Sequence, residues 1–149
     1  GKKTPPLDTL ARIARALGTD VNTLLSEERV TGGEAAPFFS VVRGGSRQRV
    51  TRPESAFGYE YYRLAEGDGA MLMQPFLMQL PAEFDKHVFF EHDGQEFMHV
   101  VSGRVEWQIG HERLVLETGD SLYLDSRIPH RARALDGPAS ALIVLTPQR

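Results

Sequence analysis

The sequence predicts a mainly β fold, a barrel or sandwich, that is preceded by two short helices. Beyond Pro37 apolar and polar residues alternate with period two in many short segments, and glycine-containing turns separate them. Before Pro37 the apolar residues recur at helical spacing instead. A content of 41% hydrophobic and 25% charged residues is typical of a globular protein.

The first predicted helix spans residues 7–17, and Gly18 follows where a helix is expected to stop. Asp20 is expected to cap a second helix over residues 20–25, before a soft stretch that ends at Pro37. Helices this short do not bury their apolar faces alone, so we expect them to pack on other helices. Because the chain begins at Gly1 in a loop-like sequence, we expect it to be part of a longer protein.

The predicted strands have alternating apolar residues, and Gly103 and Gly110 are expected to form tight hairpin turns between neighbouring strands. Many short strands at close spacing favour a sandwich or a barrel. The predicted strands are 39–43, 48–52, 59–64, 71–80, 96–101, 104–109, 113–117, 121–124, 131–135 and 140–145.

Composition excludes several classes of site. The sequence has no cysteine, so a metal site must use imidazole, carboxylate or water ligands. No apolar run approaches the ~18 residues of a membrane span, which predicts a cytoplasmic protein without a membrane partner. A net charge of -3 gives no overall signature of nucleic-acid binding, so an argument for DNA must rest on a local element.

Five residues of the β region stand at a specific spacing. Three residues separate His92 from Glu96, six separate Glu96 from Gly103, and ten separate Gly119 from His130. This spacing resembles the two motifs of the cupin superfamily. The resemblance implies a cupin-type double-stranded β-barrel, or jelly roll. The sequence departs from the motifs where Phe90 replaces the first histidine, and Asp125 and Arg127 replace a proline and a glycine.

The cupin resemblance implies three metal ligands, His92, Glu96 and His130. Strand alternation places Glu96 on one face with Met98 and Val100, which is consistent with a carboxylate that points into a barrel. Two histidines and one carboxylate are the ligand set of non-haem Fe(II) enzymes, and they also suit Zn, Ni or Mn. A barrel that binds an organic effector without metal is the alternative. The other three histidines are interpreted as ordinary strand or turn residues: His87, His99 and His111.

Two further groups allow more than one interpretation. A methionine-rich stretch, Met71, Met73, Phe76 and Met78, is interpreted as core rather than as pocket lining. An aromatic stretch is interpreted either as ordinary strand residues or as the lining of an effector site: Tyr59, Tyr61, Tyr62 and Arg63.

Residues 1–18 and 21–25 resemble the last two helices of the XRE-type helix-turn-helix domain, with Lys2 and Lys3 in the loop that follows the recognition helix. Together with a cupin, this implies a bacterial transcription regulator without catalytic residues. The implied partners are operator DNA, a small-molecule effector and a second copy in a homodimer. The implied domains are a helix-turn-helix remnant (1–26), a linker (27–37) and a cupin sensor (38–149). The alternative is a metal-dependent cupin enzyme of the dioxygenase or isomerase type.

Overall fold

The computed structural model describes Arg12 and residues 37–67, 71–85 and 87–146. The chain divides into two compact units, Gly1–Phe39 and Ser40–Arg149. Arg12 is helical, as predicted, but the rest of the two predicted helices and the linker apart from its last residue lie outside the described residues, and the predicted domain boundaries stay a prediction. Among the described residues no helix is long and apolar enough to cross a membrane, and the cytoplasmic location also stays a prediction.

The described part of the second unit is a seven-stranded antiparallel sheet that wraps around one core and is called the barrel from here on. The strands pair in the order β1-β2-β3-β7-β4-β5, and β6 pairs with β4. A 3-10 segment at Gly44–Ser46 and a 3-10 helix at Pro53–Phe57 flank the first strand. The strands are β1 (Arg49–Val50), β2 (Glu60–Arg63), β3 (Gln74–Gln79), β4 (Gln95–Ile109), β5 (Glu112–Leu116), β6 (Ser121–Asp125) and β7 (His130–Leu145).

The two long strands, β4 and β7, pair along most of their lengths and join the two halves of the barrel. The first half of β4 also pairs with β6, whereas its second half pairs with β5. The second half of β7 also pairs with β3. As a result, β4 changes one of its partners in its middle, between His99 and Val105, where its pairing with β6 ends and its pairing with β5 begins.

The predicted hairpin at Ser102-Gly103 is wrong, because 96–101 and 104–109 form one continuous strand with a bulge. Gly103 has a φ of 80°, and a Cβ there would lie 2.4 Å from the carbonyl oxygen of Pro138 on β7. The glycine therefore serves close strand approach and not chain reversal. The predicted strands 131–135 and 140–145 are likewise one strand.

The hairpin around Gly110 is confirmed between β4 and β5. The strand predicted over 39–43 does not form. Its residues are mostly exposed. Among the described residues none of their backbone groups pairs with a strand, and the carbonyl of Arg43 accepts a turn hydrogen bond from Ser46. Alternation of apolar residues without a pairing partner is not sufficient for a strand.

Gly103→Ala is expected to destabilise the protein by about 2 to 4 kcal/mol, because it combines positive-φ strain with a clash against backbone. Gly119→Ala is the matched control: its φ is 94°, but nothing lies within 4 Å of its Cβ position, so we expect about 1 kcal/mol. Urea unfolding of both variants measures the difference. Equal losses would show that the close approach to Pro138 is energetically unimportant.

The core fills the barrel and follows the predicted alternation. Met98 and Val100 are buried on the same face of β4 as Glu96, as predicted. The core interpretation of the methionine-rich stretch is correct for Phe76. Met78 is buried too, but it also lines the cavity described below, and the interpretation is wrong for Met73, which is 61% exposed. Met73 precedes β3, so the alternation of that strand does not reach it.

Candidate metal centre

Three side chains from different segments meet inside the barrel: His92, Glu96 and His130, hereafter the His-Glu-His cluster. One ligand atom from each lies within 4.8 Å of the others. Glu96 is on β4, His130 begins β7, and His92 lies in the loop before β4. Phe90 and His130 exchange two backbone hydrogen bonds of 2.9 Å, which place the loop with His92 beside the start of β7.

Both histidines present the same nitrogen to the cluster. The Nδ1 of His130 lies 2.6 Å from the carbonyl oxygen of Ile128, and the Nδ1 of His92 lies 3.0 Å from that of Asp93. A carbonyl only accepts, so each Nδ1 carries the proton and leaves Nε2 for the cluster. Metal-binding histidines are oriented by this kind of hydrogen bond.

The two Nε2 atoms converge on one oxygen of Glu96. The Oε1 atom lies 2.6 Å from Nε2 of His130 and 3.7 Å from Nε2 of His92. A lone pair on Nε2 and a carboxylate oxygen repel at that distance unless a positive charge lies with them. The three side chains therefore fit a bound metal cation. Without that cation, they fit a proton on Nε2 of His130.

Burial lowers the pKa of His130, but the hydrogen bond and charge of Glu96, with the carbonyl of Ile128, outweigh it and raise the pKa above its usual 6.5. A pKa that is higher in the folded than in the unfolded state stabilises the fold below 6.5, and this contribution is lost as pH rises through the folded value.

We therefore expect the metal-free protein to lose stability between about pH 6 and pH 8, because its imidazolium loses a proton while Glu96 stays beside it. Urea unfolding at both pH values measures the change. The comparison variant His130→Gln should show a shallower pH dependence. A steeper dependence in the variant would contradict the expectation.

The segment before His130 keeps its shape without the proline and glycine of the motif. Arg127 donates to Asp125 through its backbone nitrogen at 3.0 Å and through its guanidinium at 2.7 Å. The Arg127 guanidinium hydrogen bond, with the backbone bond, lowers the pKa of Asp125 to about 2. Side-chain pairing thus replaces the restricted backbone of the motif.

Ser126, which lies between the paired residues, connects this segment to the cluster. It is fully buried, its backbone oxygen accepts from the nitrogen of His92 at 2.9 Å, and its hydroxyl donates to Glu96 at 3.4 Å. One residue therefore contacts both His92 and Glu96 and fixes their separation.

Phe90 occupies the position at which the cupin motif has its first histidine, and it packs against aromatic rings. Its ring centroid lies 5.6 Å from those of Phe57 and Tyr59, in edge-to-face geometry. Such packing is apolar and offers no fourth ligand. This arrangement is consistent with the three ligands that the cupin resemblance implies.

A cavity of about 30 Å³ adjoins the cluster, which is room for about two water molecules. Most of its wall is aromatic or aliphatic, and its polar groups are few. It opens beside a wider groove that Phe90 and His92 also line. The cavity is lined by Glu54, Tyr59, Tyr61, Met78, Phe90, His92, Glu96, Trp107, His130, Arg131, Ala132, Ile143 and Leu145.

Only part of the aromatic stretch lines the cavity. Tyr59 and Tyr61 are buried and line the cavity, whereas Tyr62 and Arg63 do not. The three other histidines lie outside the cluster, as predicted. His99, for example, pairs with the hydroxyl of Ser121 at 2.8 Å on the opposite face of β4.

Sequence reasoning missed three residues of the cavity wall: Glu54, Trp107 and Arg131. The sequence does indicate Trp107, because Trp107 lies on the same face as Val105 in the strand predicted over 104–109. Glu54 lies in a 3-10 helix that no periodicity predicts. Arg131 carries no motif, and only the tertiary structure shows its role.

Arg131 holds the loop that leads to His92. Its guanidinium lies 4.3 Å from the ring centroids of both Phe84 and Phe89. It also donates to the side chain of Gln108 at 2.8 Å and to the carbonyl of Asp85 at 2.8 Å. One side chain on β7 thus anchors the loop at several points, next to His130.

Residues 76–145 match the family model described as a cupin domain. Among curated proteins, none matches the chain. Solved structures with a similar fold include Fe(II) HppE, at 24% identity and a TM-score of 0.64 over 94% of this chain and 75% of that one. A structure of hydroxypropylphosphonic acid epoxidase from S. wedmorenis matches at 23% identity and a TM-score of 0.61, covering 94% and 74%. Co(II) HppE in complex with substrate matches at 25% identity and a TM-score of 0.53, covering 94% and 74%.

The described part of the chain is therefore mainly β and antiparallel, and residues 76–145 within it are similar to a cupin domain. The prediction of a divalent transition metal cofactor is confirmed by the His-Glu-His cluster together with the Fe(II) and Co(II) forms of the neighbours.

The prediction of an XRE-type transcription regulator without catalytic activity is wrong. The matching family model is that of a cupin domain, the similar structures are those of an epoxidase, and the described residues include no helix-turn-helix domain. The predicted partners, operator DNA and a regulatory effector, are therefore wrong as well. The homodimer was predicted from paired DNA-binding domains, and that argument no longer holds. Apolar residues at helical spacing indicate a packed helix but do not specify what it binds.

Proposed function

We propose that this protein is a metal-dependent cupin enzyme in which the His-Glu-His cluster holds one Fe(II) ion. The observation that carries the proposal is the orientation of both histidines, with Nδ1 on a backbone carbonyl and Nε2 directed at Glu96. The likeness to Fe(II) HppE supports iron over Zn, Ni or Mn, to which the same ligand set is also suited.

The residues around the cluster have separable roles in this proposal. A bound Fe(II) ion supplies redox chemistry at the coordination positions that three protein ligands leave open. Ser126 and the two backbone carbonyls hold the ligands in orientation. Phe90 and Trp107 exclude water from the cavity, so that small substrates bind in an apolar environment with few polar contacts.

Anaerobic titration with Fe(II), followed by metal analysis, tests the proposal. We expect one Fe(II) ion per chain, with uptake that weakens as pH falls, because the proton on His130 competes with the metal. Parallel titrations with Zn, Ni and Mn measure selectivity. A protein that takes up none of these metals would overturn the proposal.

Catalysis is tested separately with an oxygen electrode. The Fe(II)-loaded protein is supplied with pools of small hydroxy and amino acids, and oxygen uptake is compared with that of the metal-free protein. We expect uptake that requires both iron and one of the pools. Metal binding without any iron-dependent turnover of an organic compound would contradict the enzymatic part of the proposal.

A further inference from the structure

Glu54 is a carboxylate in the cavity wall that the fold itself does not use. It lies in the 3-10 helix at Pro53–Phe57 and lines both the cavity beside the His-Glu-His cluster and the wider groove outside it. Its side chain is only 15% exposed. The Glu54 carboxylate therefore lies between the groove and the His-Glu-His cluster, where a molecule that enters from the groove would meet it.

The protein leaves this carboxylate without a hydrogen bond. Its nearest cation is Arg52, whose Nε lies 3.7 Å from Oε2, beyond hydrogen-bonding distance. Both atoms are buried and have no partner in the described structure. No described residue donates to Oε1 either. Buried polar atoms are nearly always paired, so an unpaired set in a cavity wall calls for an explanation.

Arg52 is itself held in place. Its guanidinium lies 5.3 Å from the ring centroid of Tyr61 and 5.1 Å from that of Phe76. In this position Arg52 places a positive charge on one side of the Glu54 carboxylate but does not donate a hydrogen bond to it. The other side of the carboxylate therefore stays available to the cavity.

The hydroxyls of the neighbouring tyrosines do not serve Glu54. The Tyr59 hydroxyl donates to the backbone oxygen of Ala132 and accepts from its nitrogen. The Tyr61 hydroxyl makes no hydrogen bond among the described residues, and that of Tyr62 donates to Glu60. Burial raises the pKa of Tyr59 to about 12, and the charge of Glu54 acts in the same direction. Glu54 thus acts electrostatically on the cavity that contains the metal ligands.

We propose that Glu54 is a specificity-determining residue that accepts a hydrogen bond from a hydroxyl or ammonium group of the substrate. The inference rests on the proposed function, because the substrate contacts Glu54 at one end and a positively charged metal ion at the other, within the same cavity. The substrate class that fits both ends carries an acidic oxygen group for the metal and a hydrogen-bond donor a few atoms away.

Three matched acids test the proposal: 3-hydroxypropionate, 3-aminopropionate and propionate, which share a carboxylate and differ at the other end. Their dissociation constants are measured by NMR titration of the Co(II)-loaded protein, with the four-carbon acids as a second set. We expect at least one of the two donor-bearing acids to bind about 10-fold or more tightly than the plain acid, which is typical of a hydrogen bond to a charged acceptor.

Glu54→Gln should reduce this preference to a few-fold, and Glu54→Ala should remove it. Glu60→Gln is the control, because the Glu60 side chain is 41% exposed and, among the described residues, pairs only with Arg49 and Tyr62. The relative affinities of the hydroxy and amino acids show which donor the site favours. Equal binding of all three acids, binding of none of them, or an unchanged preference in Glu54→Ala would overturn the proposal and leave Glu54 as half of a structural ion pair.

Metal analysis separates this inference from the proposed function. Glu54→Gln should retain the metal content of the wild type, because Glu54 is not in the cluster. A wild type without metal would contradict the proposed function alone. Titration of the metal-free protein would then still decide the role of Glu54, through the preference for donor-bearing acids and its loss in the variant.

Discussion

His130→Ala is expected to weaken Fe(II) affinity about 100-fold or more. Changes to groups that only orient a ligand cost about 10- to 100-fold, and removal of a ligand should cost at least as much. The loss also leaves Glu96 buried without its 2.6 Å partner in the metal-free protein, which destabilises that form and offsets a small part of the loss in affinity. Competition titration against a chelator of known affinity measures the change.

Two controls keep this result interpretable. His99→Ala removes a histidine of β4 that faces Ser121 and not the cluster, so its Fe(II) affinity should stay within about 2-fold. Circular dichroism of His130→Ala shows whether the barrel still forms. A folded His130→Ala protein that binds Fe(II) as tightly as the wild type would refute the ligand assignment.

The site was more predictable from sequence than the strand boundaries were. Alternation placed Glu96 on the buried face of its strand, and motif spacing related His92 and His130 to it across the barrel. Strand alternation is a local pattern, and motif spacing is fixed by strand register. Both can therefore be recognised in a single sequence.

The errors arose where tertiary contacts decide the outcome. Gly103 has the same positive φ in a hairpin turn as in a bulge, and only the close approach of Pro138 distinguishes the two. Asp136 and Gly137 likewise have positive φ within a continuous β7. Turn residues therefore predict local backbone geometry but not whether the chain reverses.

The functional error had a different cause. A resemblance in the first 25 residues assigned a role to the whole chain, whereas function depends on the site and not on the fold alone. The site brings together His92, Glu96 and His130, three residues that the sequence had already indicated as candidate ligands. Glu54 and Arg131 lay outside any pattern, since side chains from irregular segments reach the cavity only in the folded barrel.

Arg131→Met is expected to lower both stability and metal affinity. The variant loses two cation–π contacts and the hydrogen bond to Gln108, whose side chain is buried, at a cost of about 2 to 4 kcal/mol in the free energy of unfolding. Because the loop that Arg131 anchors continues to His92, Fe(II) affinity should fall about 10-fold.

Arg133→Met is the matched control for Arg131→Met. Arg133 lies two residues further along β7, 5.5 Å from the ring centroid of Phe84, and pairs with Glu106 at 3.3 Å. It makes a weaker contact with the loop, so we expect a loss of about 1 kcal/mol or less and unchanged Fe(II) affinity. Gly103→Ala supplies a second comparison, as a variant destabilised at the bulge and away from the loop.

The decisive quantity is Fe(II) affinity at equal stability. If Arg131 positions His92, Arg131→Met binds Fe(II) more weakly than Gly103→Ala even where both have lost the same free energy of unfolding. If Arg131 only stabilises the barrel, the two variants bind Fe(II) equally well in the absence of denaturant, because nearly all molecules are then folded. Limited proteolysis gives an independent measure, since cleavage between Phe84 and His92 should accelerate in Arg131→Met and not in Gly103→Ala.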